Sequence, residues 1–120
     1  MTDPVWGEDD IIIRQNSTYT MQVQYYTDET ETSLVPAVGW TARFEVKAAL
    51  GGPTLLALAL GSGITQVAGV GDWTAEVTDE QALALPVGDA LYEFRVVSSG
   101  GKAYTLAAGR ARVVGAVITT

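Results

Sequence analysis

The stretch GWTARFEVKA, Gly39 to Ala48, sets Trp40, Ala42, Phe44, Val46 and Ala48 on alternate positions, with Thr41, Arg43, Glu45 and Lys47 between them. Side chains of an extended chain alternate between two faces, so this spacing predicts a strand with one apolar side and one wet side. The apolar side must pack on a core. The wet side carries both signs of charge, and its use is the functional question: a ligand platform, a subunit interface, or the solvated outside of a sheet.

Working outward, the same alternation recurs at short intervals. IIIRQ (Ile11 to Gln15) predicts a first short strand, and TYTMQVQYYT places Tyr19, Met21, Val23 and Tyr25 on one face. An acidic loop, Thr27 to Ser33, follows. LGGP (Leu50 to Pro53) turns the chain into TLLALAL, and GSG turns it again into ITQVAGVG. DWTAEVT points Trp73, Ala75 and Val77 inward and Asp72, Thr74 and Glu76 outward. Only TDEQALALP, Thr78 to Pro86, reads as helical. Thr78 is its N-cap, Gln81 stands at the capping-box spacing and Pro86 stops it.

The stretch from Ala90 to Val114 predicts a hairpin turning at Gly100 and Gly101, with Tyr92, Phe94, Val96, Tyr104 and Leu106 facing in. Strict alternation beyond Leu106 would bury Arg110 and Arg112. Burying unpaired guanidinium groups costs several kcal/mol, so a one-residue bulge near Ala108 and Gly109 is expected to return both arginines to water.

Composition removes whole classes of chemistry. The 120 residues contain no cysteine and no histidine, which excludes thiol catalysis, disulfides and histidine-based triads and speaks against zinc. A net charge of −7 argues against nucleic acid and anionic membrane surfaces as partners. The start, MTDPVWGEDD, lacks the basic and apolar regions of a secretory signal, and no apolar run is long enough to span a bilayer. The expected fold is all-β: an antiparallel immunoglobulin-like β-sandwich of seven or eight strands with one short helical turn, a barrel being the other option. Residues 1–7 read as an N-terminal arm and 8–120 as one domain.

The order DIIIRQNSTYTMQVQY, GWTARFEVKA, then GITQVAGVGDWTAEVTDEQALALPVGDALYEFRVVSSGGKAYTLAAGRARVV resembles small immunoglobulin-like β-sandwich proteins of tailed bacteriophages. These occur alone as head or tail accessory proteins and fused at the N-termini of upper baseplate proteins. The resemblance covers about Asp10 to Val114. It departs where such proteins often carry a glycine after the first Arg-Gln pair, here Asn16, and where Leu-Thr often precedes the glycine, here Ala37-Val38. It implies a non-enzymatic virion component, assembled in the host cytoplasm and held by other virion structural proteins in a symmetric assembly.

Other chemical readings compete with plainer ones. Asn16-Ser17-Thr18 fits a glycosylation sequon but serves equally as a polar start to a strand. Glu8-Asp9-Asp10 and Asp28-Glu29-Glu31 lack EF-hand spacing and read as solvated loops. Carboxylate pairs such as Asp79 with Glu80 are what any acidic sequence offers. No cofactor, metal or small-molecule substrate is expected. The alternative is a carbohydrate-binding or adhesion module, for which exposed aromatics would stack on sugar rings. Trp40, Trp73, Tyr92 and Tyr104 fall on apolar phases, which leaves Trp6 and Tyr26. Trp6 is expected to dock on a partner or fold back on its own domain. In TLLALAL, Leu56, Leu58 and Leu60 fill a core, so that Leu55, Ala57 and Ala59 form an apolar outer face suited to a subunit contact.

Overall fold

The computed structural model describes residues 10–27 and 33–116, which form eight strands and one short helix. The strands are β1 (Ile11–Arg14), β2 (Tyr19–Gln24), β3 (Thr41–Lys47), β4 (Thr54–Leu60), β5 (Gly63–Gln66), β6 (Asp72–Val77), β7 (Gly88–Val97) and β8 (Ala103–Val114). The helix α1 (Asp79–Ala84) lies between β6 and β7. All-β is therefore the fold class, and GWTARFEVKA is a strand, though it ends at Lys47 and leaves Ala48 exposed at the turn.

All eight strands belong to one sheet in the order β1-β8-β7-β3-β4-β5-β6-β2. Two pairings, β1 with β8 and β4 with β5, are parallel, so the ladder is mixed where an antiparallel one was expected. The sheet's shape follows from its ends. Its edge strands β1 and β2 are consecutive in the chain, and the link from Arg14 to Tyr19 spans roughly 18 Å at most. Eight strands about 4.8 Å apart would separate flat edges by roughly twice that distance. The sheet must curl until its edges approach, and it is nearly a barrel. The step from β4 to β5 keeps the ladder continuous: Gly61 and Ser62 shift the chain sideways without reversing it, so Ala59 pairs with Gly63 and Leu60 with Ile64.

The inward phases of all the long strands meet in this curl. Phe44, Val46, Trp73, Val77, Phe94 and Ile13 are fully buried, packed with Ala111 and Val113 of β8. Two β-bulges adjust the alternation. In β8, Phe94 pairs with Ala107 and Arg95 with Thr105, which makes Leu106 the extra residue. Leu106 and Ala107 both reach the core, and Arg110 and Arg112 emerge into water. The expected bulge exists, therefore, but two to three residues earlier than Ala108 and Gly109, because Leu106 gains more from packing than those small residues would. In β4, Val46 pairs with Leu56 and Lys47 with Thr54, leaving Leu55 as the extra residue.

Local signals account for the connections. Thr78 Oγ1 accepts the Gln81 amide and Gln81 Oε1 accepts the Thr78 amide, a complete capping box. Gln15 Nε2 donates to the Leu85 carbonyl at 2.7 Å, fastening the helix end to the chain after β1. Asn16 has φ of 61° in the turn between β1 and β2. That left-handed region suits glycine, and asparagine enters it more readily than other residues. Asn16→Val should cost about 1–2 kcal/mol more than Asn16→Gly in a urea titration, since both lose the side chain's own contacts and only valine strains the backbone. Equal effects would show that the turn does not depend on this backbone conformation.

Candidate functional site

The outer face of β4, β3, β7 and β8 answers the question that Arg43, Glu45 and Lys47 raise. Pairing Phe44 with Phe94 sets the register, and the two strands carry mirrored triplets, Arg43-Phe44-Glu45 and Glu93-Phe94-Arg95. Antiparallel pairing then places Arg43 opposite Arg95 and Glu45 opposite Glu93, with Lys47 opposite Leu91. On β8, Thr105, Ala108 and Arg110 continue these three rows; on β4, Ala59 and Ala57 begin the first two. The face is banded, basic then acidic then basic. Charge alternates along β3 and β7, and like faces like between those two strands, contrary to the cross-strand pairing that mixed charge suggests.

The ion pairs run accordingly. Arg43 Nη2 lies 2.9 Å from Glu45 Oε2, within one strand, and Lys47 Nζ is 3.9 Å from Glu45 Oε1. Glu93 Oε2 accepts a hydrogen bond from Thr105 Oγ1. At the end of the face Arg112 Nε meets Asp89 Oδ1 at 3.1 Å. Among the described residues, Arg95 and Arg110 make no ion pair through their side chains. The bands enclose a groove of about 730 Å³ with Leu50, Leu91 and Asp10 on its walls, a size usual for ligand or peptide sites. Leu50, 93% exposed, stands in the turn that leaves β3.

The residues singled out from the sequence do not converge. Trp6 lies outside the described residues, as do Glu8, Asp9, Asp28, Glu29 and Glu31. Ala57 is exposed and Ala59 half-buried on the outer face beside the groove. Leu55 is a correction: the bulge turns it, with Leu56, toward the core, against which both are half-buried. Leu60, expected inside, is 37% exposed because the strand ends there. Tyr26 is half-buried at the other edge of the sheet, and its hydroxyl donates to Gln24 Oε1 at 2.7 Å. Gln24 and Gln22 in turn donate to the carboxylate of Asp72, which these amides cover to 8% exposure although it sits on the outward phase of β6.

The other aromatics serve one another. Trp40 stacks on Tyr104 at 5.9 Å and 13°, and Trp40 continues through Trp73 to Phe94. Tyr25 closes edge contacts with Trp40 and Tyr104. Asp10, Leu50 and Leu91 were missed as groove residues. For Leu91 the signal was present, since it occupies the outward phase of the same strand as Glu93.

No protein-family model and no curated protein matches the chain.

Proposed function

We propose that this protein is a non-enzymatic structural component of a bacteriophage particle, an immunoglobulin-like β-sandwich that docks on neighbouring virion proteins through the banded face. The strand order supports the finer fold reading. On that reading β2, β6 and β5 would form one layer and β1, β8, β7, β3 and β4 the other, with the β4–β5 pairing joining them along the one ladder. The phage assignment draws on the resemblance of the sequence.

The observation that carries docking is the meeting of like charges across β3 and β7. Such pairs weaken an isolated sheet. A partner offering acidic, basic and acidic bands in succession would turn both repulsive rows into attractive ones, and Ala57 and Ala59 would let its backbone approach closely at the side. The partner so defined is a protein surface of complementary stripe, one copy per site in a symmetric assembly.

Exchanging the charges, Glu93→Arg with Arg95→Glu, sets opposite signs across both rows. The isolated domain should then melt no lower than the parent, since each opposed pair contributes about 0.2–1 kcal/mol. Its occupancy on purified particles, scored by gel densitometry, should fall at least tenfold. Ala57→Arg, which adds bulk and charge beside Glu45, should likewise keep the fold and reduce occupancy. Undiminished occupancy with both variants would refute docking through this face.

A further inference from the structure

The chain is acidic overall, yet its basic residues gather in one place. Four of its seven lysines and arginines, Arg43, Lys47, Arg95 and Arg110, line the groove of the banded face, against three acidic residues there, Asp10, Glu45 and Glu93. The acids are engaged: Glu45 by Arg43 and Lys47, Glu93 by Thr105, and Asp10 Oδ1 by the Arg110 amide at 3.1 Å. The side chains of Arg95 and Arg110 make no ion pair among the described residues, so the unmet charge of the groove is positive. Its row nearest the turn between β3 and β4 is also apolar. Leu91, 39% exposed, sits between Lys47 and Arg110, and the exposed Leu50 stands on the same groove's wall. Such a corner fits an apolar side chain with a carboxylate alongside it.

The chain itself carries the counterpart. Leu83 on α1 is 48% exposed, and Asp79 and Glu80 precede it by four and three residues, the spacings that set side chains beside one another on a helix. Both carboxylates are exposed, and neither has a partner among the described residues. The dimensions agree as well. Leu91 and Arg110 lie opposite each other on adjacent strands, where side chains start roughly 5 Å apart. Leu83 stands about 5–6 Å from Asp79 and Glu80. A leucine placed on Leu91 therefore brings its neighbouring carboxylates to Arg110.

We infer that the occupant of this corner is α1 of a second copy of the chain: its Leu83 seats against Leu50 and Leu91, and its Asp79 and Glu80 carboxylates meet the Arg110 guanidinium. The contact joins an unpaired cation to unpaired anions and covers exposed apolar surface on both sides. Because the two surfaces differ, a copy whose α1 is engaged still has its groove open, so copies add in succession until a ring closes. The inference rests on docking through the banded face and names what supplies the acidic band opposite Lys47 and Arg110.

Charge reversal tests both halves of the contact in the full chain. Arg110→Glu in the groove, and Asp79→Lys with Glu80→Lys on α1, alter exposed side chains, so both variants should melt close to the parent. In sedimentation velocity at low ionic strength, the parent's weight-average mass should rise with protein concentration, and added salt should lower it. Each charge variant alone, and Leu83→Ser, should associate at least tenfold more weakly. Mixing the two charge variants should restore association, because the reversed α1 then meets the reversed groove and the native α1 the native groove. A parent that stays monomeric into the millimolar range, variants that associate as the parent does, or a mixture no stronger than its components would each overturn the inference. Occupancy on purified particles separates this from the docking reading: a monomeric parent whose Arg110→Glu variant is still lost from particles overturns the self-contact alone.

Discussion

Phe44→Ala should remove about 3–5 kcal/mol of folding stability, a large share of the roughly 5–15 kcal/mol that holds a domain of this size together. Phe44 lies at the centre of the sheet, on β3 between β4 and β7, opposite Leu58 and Phe94 and with no exposed surface. Its ring centroid is 6.0 Å from that of Tyr92. Truncation leaves a cavity walled by two hydrogen-bonded strands on each side, which cannot collapse into it without breaking register. Urea unfolding should show the midpoint fall with the slope unchanged, since the surface exposed on unfolding is nearly the same. Arg43→Ala, one residue away but facing water, should move the midpoint by no more than about 0.5 kcal/mol. A cost below about 1 kcal/mol for Phe44→Ala would mean that the core lies elsewhere.

Gly63→Ala should be almost as damaging for a different reason. Gly63 begins β5 with φ of 97°, and a Cβ there would come within 2.6 Å of Leu58 Cδ2 and 3.2 Å of Leu58 Cγ. Leu58 is itself 3% exposed, so it has no space into which to swing. Backbone strain of about 1–2 kcal/mol and overpacking of about 1–3 kcal/mol should act together. Gly61→Ala separates the two: its φ is 85°, yet a Cβ meets nothing within 4 Å, so it should show the backbone cost alone. Leu58→Ala added to Gly63→Ala should cost less than the sum of the single changes, because the smaller side chain relieves the clash. Strict additivity would contradict the contact.

The inward phases were readable because period-two alternation reports burial directly. Ala42, Phe44 and Val46, then Trp73, Ala75 and Val77, lie where alternation puts them. The capping box of α1 was readable because both partners are local. What escaped was anything decided between strands. The pairing of β1 with β8 and the sideways step at Gly61 and Ser62 leave no periodic trace, so the sequence predicts wholly antiparallel pairing where the sheet is mixed. The bulge in β8 could be inferred because two arginines forced a change of phase. The bulge at Leu55 could not, because TLLALAL is apolar on either phase and no charge reveals the shift. The charge bands are an instructive case. The mirrored triplets around Phe44 and Phe94 stood in the sequence, but only the register shows that arginine must face arginine.

The parallel pairing of β1 also governs the order in which the chain can fold. Ile11 pairs with Ala111, a hundred positions later, and β1 has no other strand partner among the described residues. During synthesis β8 emerges after the other described elements, so β1 waits about a hundred residues for its partner. The intervening loop closure makes this a high-contact-order step, of the kind that slows folding. Until it is taken, Ile11, Ile12 and Ile13 form an apolar, β-prone run open to pairing with neighbouring nascent chains. The risk of misassociation is thus greatest before β8 exists to take up β1.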